Sequence, residues 1–339
     1  MRLGYRVLAP ADLDTLVATA LRRRITAKNV CFALSGGVDS TLLTAIAATR
    51  QLVQPLVAYT AVTDVGADLG YAEQAADQLG IELRRVEVPN GAVALDFYDD
   101  MSTRAGAALS LVGNSIGFAA ICTAAKADGF DAIVDGTGAE QMTAGNKRII
   151  KDWLALAEAA GHDDLVSAFV ERNGASLLKQ ARRQGVRFAT MAEAIDHELT
   201  DSKFTYWRSH HPITQRATGI EIISPFLGSE LEKLKYQPLE WYCPDGWMKS
   251  PLRRLLATHV GDAVAYRQDK QGLRWPRKSS LASCHQRMRH VIAESDVIRF
   301  ASWRHRLAFR LNAASTSRLA RLYEEATAQR VKKRPKAVG

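Results

Sequence analysis

A chain of 339 residues is long enough to bury one large domain or two modest ones, and its apolar (47%) and charged (24%) fractions are those of an ordinary globular protein. No run reaches the about 18 apolar residues that a membrane helix needs, and Met1-Arg2-Leu3-Gly4-Tyr5-Arg6 has no signal-peptide core, so a cytoplasmic protein is expected. The net charge of +9 is uneven: residues 264–339 hold 18 Lys and Arg against 5 Asp and Glu, or +13, which leaves −4 for residues 1–263 and excludes a generally basic body.

The first strong element is the apolar run 30–34, of buried-strand composition, followed by Ser35-Gly36-Gly37-Val38-Asp39-Ser40 and a helix over 41–48. A strand that turns through two glycines into a helix presents backbone N–H groups at a helix N-terminus, where phosphate oxygens bind well. Leu34 closes the strand, Gly36 and Gly37 leave room for close approach, Ser35 and Ser40 add hydroxyl donors, and Asp39 is placed to hold a phosphate-bound magnesium ion. No lysine lies in the loop, so it is not a Walker A motif.

Residues 56–62 read as a second strand, 69–79 as a helix with Gly80 as its C-cap, and the strict alternation over 81–88 as a strand with one wet face. A helix over 115–127 ends near Gly129, and 132–134 form a short buried strand before Asp135-Gly136. The order strand, helix, strand, helix, strand predicts an α/β fold with a doubly wound parallel sheet, which binds ligands at the carboxyl ends of its strands, where Ser35 and Asp135 fall. From 152 onward the pattern turns helical, over 153–160, 164–171, 175–184 and 191–199; a further amphipathic helix over 288–311 has a basic outer face, and the run at 330–336 reads as a solvated tail. Cys31, Cys122, Cys243 and Cys284 form no Cys-x-x-Cys pair, and Cys31 and Cys122 read as small buried hydrophobes.

The six residues Ser35 to Ser40 resemble the PP-loop of the N-type ATP pyrophosphatases, a superfamily that splits ATP between the α- and β-phosphates to adenylate a substrate. Asp135-Gly136-Thr137-Gly138-Ala139-Glu140 resembles the Ser-Gly-Glu-Gly-Ala/Ser-Asp-Glu loop of its asparagine synthetase and β-lactam synthetase branch, with Thr137 in place of a glutamate and Glu140 in place of an aspartate. Ser224-Pro225-Phe226-Leu227 is similar to that branch's Pro-Phe-Leu-Asp segment, with Gly228 replacing the aspartate. Lys249-Ser250-Pro251-Leu252-Arg253 is similar to Lys-x-x-Leu-Arg, and Arg267 to Gly272 to an Arg-x-Lys-x-x-Gly-like turn.

The resemblance covers about residues 30–276, leaving an N-terminal segment (1–29) and a basic helical C-terminal region (277–339), with a helical insertion at about 152–215. It implies ATP and Mg2+, with phosphates over Leu34 to Ser40 and at Gly136, adenine read by the backbone of Thr60, Ala61 and Val62, and the metal held by Asp39 and Glu140. It also implies that Lys270 stabilises the charge that grows on the α-phosphate, while Lys249 and Arg253 hold pyrophosphate. Asn114, Ser115 and Thr137 are candidate substrate contacts; a threonine hydroxyl cannot replace a carboxylate as a base, so another residue must take that role or the nucleophile differs.

The expected activity is an AMP-forming amide ligase that transfers an activated small-molecule or peptide carboxylate to ammonia or an amine. About 30 residues precede the PP-loop and residue 2 is Arg, so a fused glutaminase domain is not expected; ammonia would be free or delivered by a separate amidotransferase subunit, in a specialised biosynthetic reaction. A homo-oligomer is compatible with the sequence. Two alternatives are a tRNA-modifying PP-loop ligase that uses the basic C-terminal region, and a nucleotide-binding pseudoenzyme or scaffold, suggested by Thr137 and Gly228.

Overall fold

The structure, a computed structural model, describes residues 7–63, 68–89, 91–106, 115–201 and 210–268. Asn114 and Lys270 lie outside the described residues, as do the helix expected over 288–311 and the basic run at 330–336. Five strands, β1 (Val30–Ala33), β2 (Val57–Val62), β3 (Glu82–Glu87), β4 (Ala132–Val134) and β5 (Glu221–Ile223), form a parallel sheet in the order β3-β2-β1-β4-β5. Both β2 and β4 flank β1, so the winding reverses there and the loops after β1 and β4 are neighbours.

Sheet burial follows the alternation of side chains. Val30 and Phe32 of β1, Ala58 of β2 and Ala132 and Val134 of β4 face one apolar core with α1 (Pro10–Arg24), α2 (Val38–Thr49) and α3 (Asp68–Leu79). Cys31, Val57, Tyr59 and Ile133 face a second core, closed by Ile121, Cys122 and Ala125 of α5 (Ser115–Ala127). A sheet covered on both faces explains why β1 and β4 are uninterrupted apolar runs, and truncating a fully buried residue such as Phe32 to Ala would cost roughly 3–5 kcal/mol. The Cys31 thiol is pushed up to about 12 by burial, in keeping with a small hydrophobe.

Several elements go beyond the sequence reading. The N-terminal segment contains α1, which opens on Pro10 and buries Leu13, Val17 and Leu21 at four-residue spacing. Helix α4 (Gly91–Ala105), the helix His210–Thr218 and strand β5 were also not predicted. α7 (Lys147–Ala159) begins six residues earlier than its apolar spacing suggests, because Asn146 caps it by accepting from the N–H groups of Arg148 and Ile149, both at 2.9 Å. Trp153 of α7 is fully buried in the same core as Phe32 and donates Nε1–H to the Leu239 carbonyl at 2.9 Å, so this helical region extends the core on that face of the sheet. α8 (Asp163–Asn173), α9 (Ala175–Gln184) and α10 (Met191–Thr200) follow the predicted spans closely. Among the described residues no helix is long and apolar enough to cross a membrane.

Candidate functional site

β1 delivers Leu34 and Ser35 to the carboxyl end of the sheet, where Leu34 N–H still donates to the Tyr59 carbonyl at 2.8 Å. The chain then turns through Gly36, at φ +63°, where a Cβ would lie 2.7 Å from the Ala72 nitrogen and 2.8 Å from the Asp68 carbonyl oxygen; only glycine fits. Ser35 and Ser40 brace the loop: the Ser35 N–H donates to Ser40 Oγ at 3.1 Å, the two hydroxyls lie 2.9 Å apart, and Gly37 N–H donates to Ser35 Oγ at 3.3 Å. No side chain caps α2 at Gly37, which leaves its first-turn N–H groups available to an anion.

The loop after β4 packs directly on this turn. A Cβ on Gly136 would stand 2.8 Å from Asp39 Cβ and 2.9 Å from the Ser40 nitrogen. Glu140 follows at the start of α6 (Ala139–Met142), and Lys249 reaches both loops from the N-cap of the helix Ser250–Ala265. Its Nζ lies 2.5 Å from Asp39 Oδ2 and 3.1 Å from Glu140 Oε1, with the Lys249 side chain only 7% exposed. Burial pushes the ammonium pKa down, but the two carboxylates outweigh it and hold the pKa above the ordinary lysine value. Lys249 adopts a left-handed backbone (φ 60°, ψ 30°), uncommon for a lysine, and its stem fills the place where Gly145 would carry a Cβ, 2.4 Å from Lys249 Cγ.

Beside them is a cluster the sequence reading did not single out. Asp135, buried, accepts from Ser224 Oγ and from Thr137 Oγ1, both at 2.6 Å, and faces His211 Nε2 at 3.2 Å. Burial pushes the Asp135 pKa up, but His211, Ser224 and Thr137 together hold it below the usual carboxylate value. β5 brings Ser224 here through its register with β4, Val134 opposite Ile223, and Asp135 N–H donates to the Ile223 carbonyl at 2.9 Å. The buried His210 alongside is kept neutral, its pKa lowered to about 4 by burial and by His211.

The other predicted residues are placed as follows. Thr60, Ala61 and Val62 end β2, which pairs with β3 through Val62 and Glu87 but with β1 only as far as Ala33 and Tyr59, so this stretch of backbone edge faces the PP-loop side. Arg253 is largely engaged in structure, donating Nε–H to the Met248 carbonyl and Nη1–H to that of Ala265. Ser115 is buried at the start of α5. At Gly228 a Cβ would lie 2.3 Å from Arg24 Nε and 2.4 Å from Glu230 Oε2, the ends of two side chains that form an ion pair, so an aspartate there would displace that pair. An open recess lined by α9 residues, including Lys179 and Arg182, contains none of these groups.

Magnesium fits this donor set. Asp39 Oδ1 is buried without a hydrogen-bond partner, and Asp39 and Glu140 already converge on one cation, the Lys249 ammonium. The described residues contain no cluster of three or more His, Cys, Asp or Glu able to hold a metal alone.

No curated protein sequence matches this chain. Among solved structures, the NMN synthetase from Francisella tularensis is similar at 17% identity and a TM-score of 0.30, over 40% of this chain and 58% of that one, less than two thirds of its length. The sequence profile described as asparagine synthase matches residues 12–337, and so takes in the loop after β1, the loop after β4, the Pro225–Leu227 turn and the Lys249 segment that meet at the sheet end. With nearly the whole length accounted for, this chain belongs to the asparagine synthase family, a family of ATP-binding ligases.

Proposed function

We propose that this protein is an AMP-forming amide ligase that adenylates a carboxylate with ATP and passes the acyl group to ammonia or an amine, in a specialised biosynthetic reaction. The observation that carries this reading is the meeting of Lys249 with Asp39 and Glu140, which joins the phosphate loop to the loop after β4. The phosphates lie over Ser35 to Ser40, held by α2 N–H groups and the two serine hydroxyls, with adenine on the free backbone edge of Thr60 to Val62. Asp39 and Glu140 would hold magnesium, which supplies charge neutralisation to the phosphates. The Lys249 ammonium offsets the charge of the departing pyrophosphate, and the resemblance assigns Lys270 to the α-phosphate. A substrate carboxylate oxygen attacks the α-phosphorus, the bond to pyrophosphate breaks, and the acyl-adenylate is then open to a nitrogen nucleophile.

The test is ATP–pyrophosphate exchange by the purified protein across a panel of amino acids and peptides. Exchange that depends on one carboxylate and is lost in Asp39→Ala identifies the first substrate. Failure to exchange with any carboxylate refutes the reading and favours a nucleotide-binding scaffold.

A further inference from the structure

Position 137 carries no carboxylate, yet the site holds a proton acceptor of another kind. The His211 side chain is 13% exposed, and its two nitrogens face different partners. Nε2 lies 3.2 Å from Asp135 Oδ2 and Nδ1 lies 3.4 Å from Ser224 Oγ. The hydrogens can be counted. Asp135, ionised, only accepts, and Thr137 and Ser224 each commit their single hydroxyl hydrogen to it. Nε2 must carry the ring hydrogen, because a lone pair there would oppose the carboxylate; in the neutral ring the lone pair is on Nδ1. Ser224 has no hydrogen left to give Nδ1 and turns an oxygen lone pair toward it, so Nδ1 is satisfied only once it gains a proton.

We infer that His211 is the general base of the second half-reaction, an inference that rests on the ligase reading above. The nitrogen nucleophile bonds to the acyl carbon, and the carbon–oxygen bond to AMP breaks with its electron pair leaving on the phosphate oxygen. The proton shed by the nucleophile passes to Nδ1 of His211, Asp135 balances the imidazolium, and the ring returns the proton to solvent. The location is suitable: His211 Nε2 is 3.4 Å from Thr137 Oγ1, and Thr137 follows Gly136, which packs against Asp39 of the phosphate loop. Among the described residues, the titratable groups set against the ring are Asp135 from β4 and His210 from its own helix, while α5 presents the Phe118 ring at 5.7 Å.

The test compares wild type with His211→Gln, whose amide N–H keeps a donor toward Asp135 while the Nδ1 lone pair is lost. With the carboxylate found by exchange, three rates are measured: ATP–pyrophosphate exchange, amide formation from ammonium or methylamine, and hydroxamate formation from hydroxylamine, which attacks acyl-adenylates without a base. We expect amide formation to fall about 100-fold more than exchange and hydroxamate formation do. Equal loss of all three rates, or undiminished amide formation, overturns the assignment, as does a wild type that makes hydroxamate but no amide. A wild type that exchanges with no carboxylate removes the ligase reading itself, and His211 as its base falls with it.

Discussion

Replacing Lys249 with methionine removes the ammonium that bridges the two loops and takes the shared cation from Asp39 and Glu140. Breaking a buried ion pair by deleting one partner costs roughly 3–5 kcal/mol. The Asp39 side chain is 18% exposed and that of Glu140 42%, so water relieves part of the repulsion, and a loss of about 3 kcal/mol is expected. The same carboxylates then lose the Lys249 ammonium as a competing cation, so magnesium should bind the variant better than it binds the wild type in the absence of ATP. At ten times its dissociation constant an ion that binds only the folded state adds about 1.4 kcal/mol, roughly 2 °C in a chain of this size. The assay is thermal unfolding of both proteins with and without about 10 mM magnesium chloride. An equal magnesium response in the two proteins, or a variant more stable than wild type, would refute the bridging role.

Gly36→Ala must both hold a left-handed backbone and push a methyl group into the Ala72 nitrogen and Asp68 carbonyl, for a loss of about 3 kcal/mol; an unchanged urea midpoint would contradict this. Gly145→Ala pushes against the Lys249 stem at Cγ, so we expect ATP–pyrophosphate exchange to fall by about tenfold for a stability loss of only about 1–3 kcal/mol. Exchange at the wild-type rate would show that the position of Nζ does not matter. His210 has a folded pKa of about 4 against the ordinary histidine value of 6.5, so between these values the unfolded chain binds more protons and stability falls as pH drops, by about 3 kcal/mol over the window. His210→Phe should flatten the fall in urea midpoint between about pH 6.5 and 4; a fall as steep as that of wild type would place the acid sensitivity elsewhere.

What could be read in advance follows from how much local constraint each element carries. The stretch from Val30 to Thr49 is legible because a buried strand, two glycines and an apolar helix each leave a distinct pattern, and the same holds for the alternation in β3 and the apolar spacing in α10. β5 is not, because Glu221-Ile222-Ile223 is too short to show a period and is a strand only through its register with β4. Asp135 reads as one more loop acid until β5 brings Ser224, and the helix His210–Thr218 brings His211, to its side. Those contacts span 76 residues in the case of His211 and 89 in the case of Ser224, beyond the reach of any local spacing. The role of Lys249 was legible as to charge but not as to partner, since its ammonium is shared between carboxylates 210 and 109 residues away.

The contact at Gly136 divides the site into two parts that can vary separately. No side chain of any size can be placed where the loop after β4 touches Asp39 and Ser40, so mutation at that point is closed to selection. On the proposed reading Thr137, the next residue, borders the acceptor side and can change without moving the phosphate loop, whereas Glu140 and Gly145 beyond it remain tied to Lys249. A lineage could therefore alter its nitrogen chemistry while its way of splitting ATP stays fixed. The combination found here, a glycine at 136 with a threonine, a histidine and a serine gathered on Asp135, is what such a history would leave behind. Exchanging residue 137 between relatives of this chain, with Glu140 and Gly145 kept, should thus be a practical route to new acceptors.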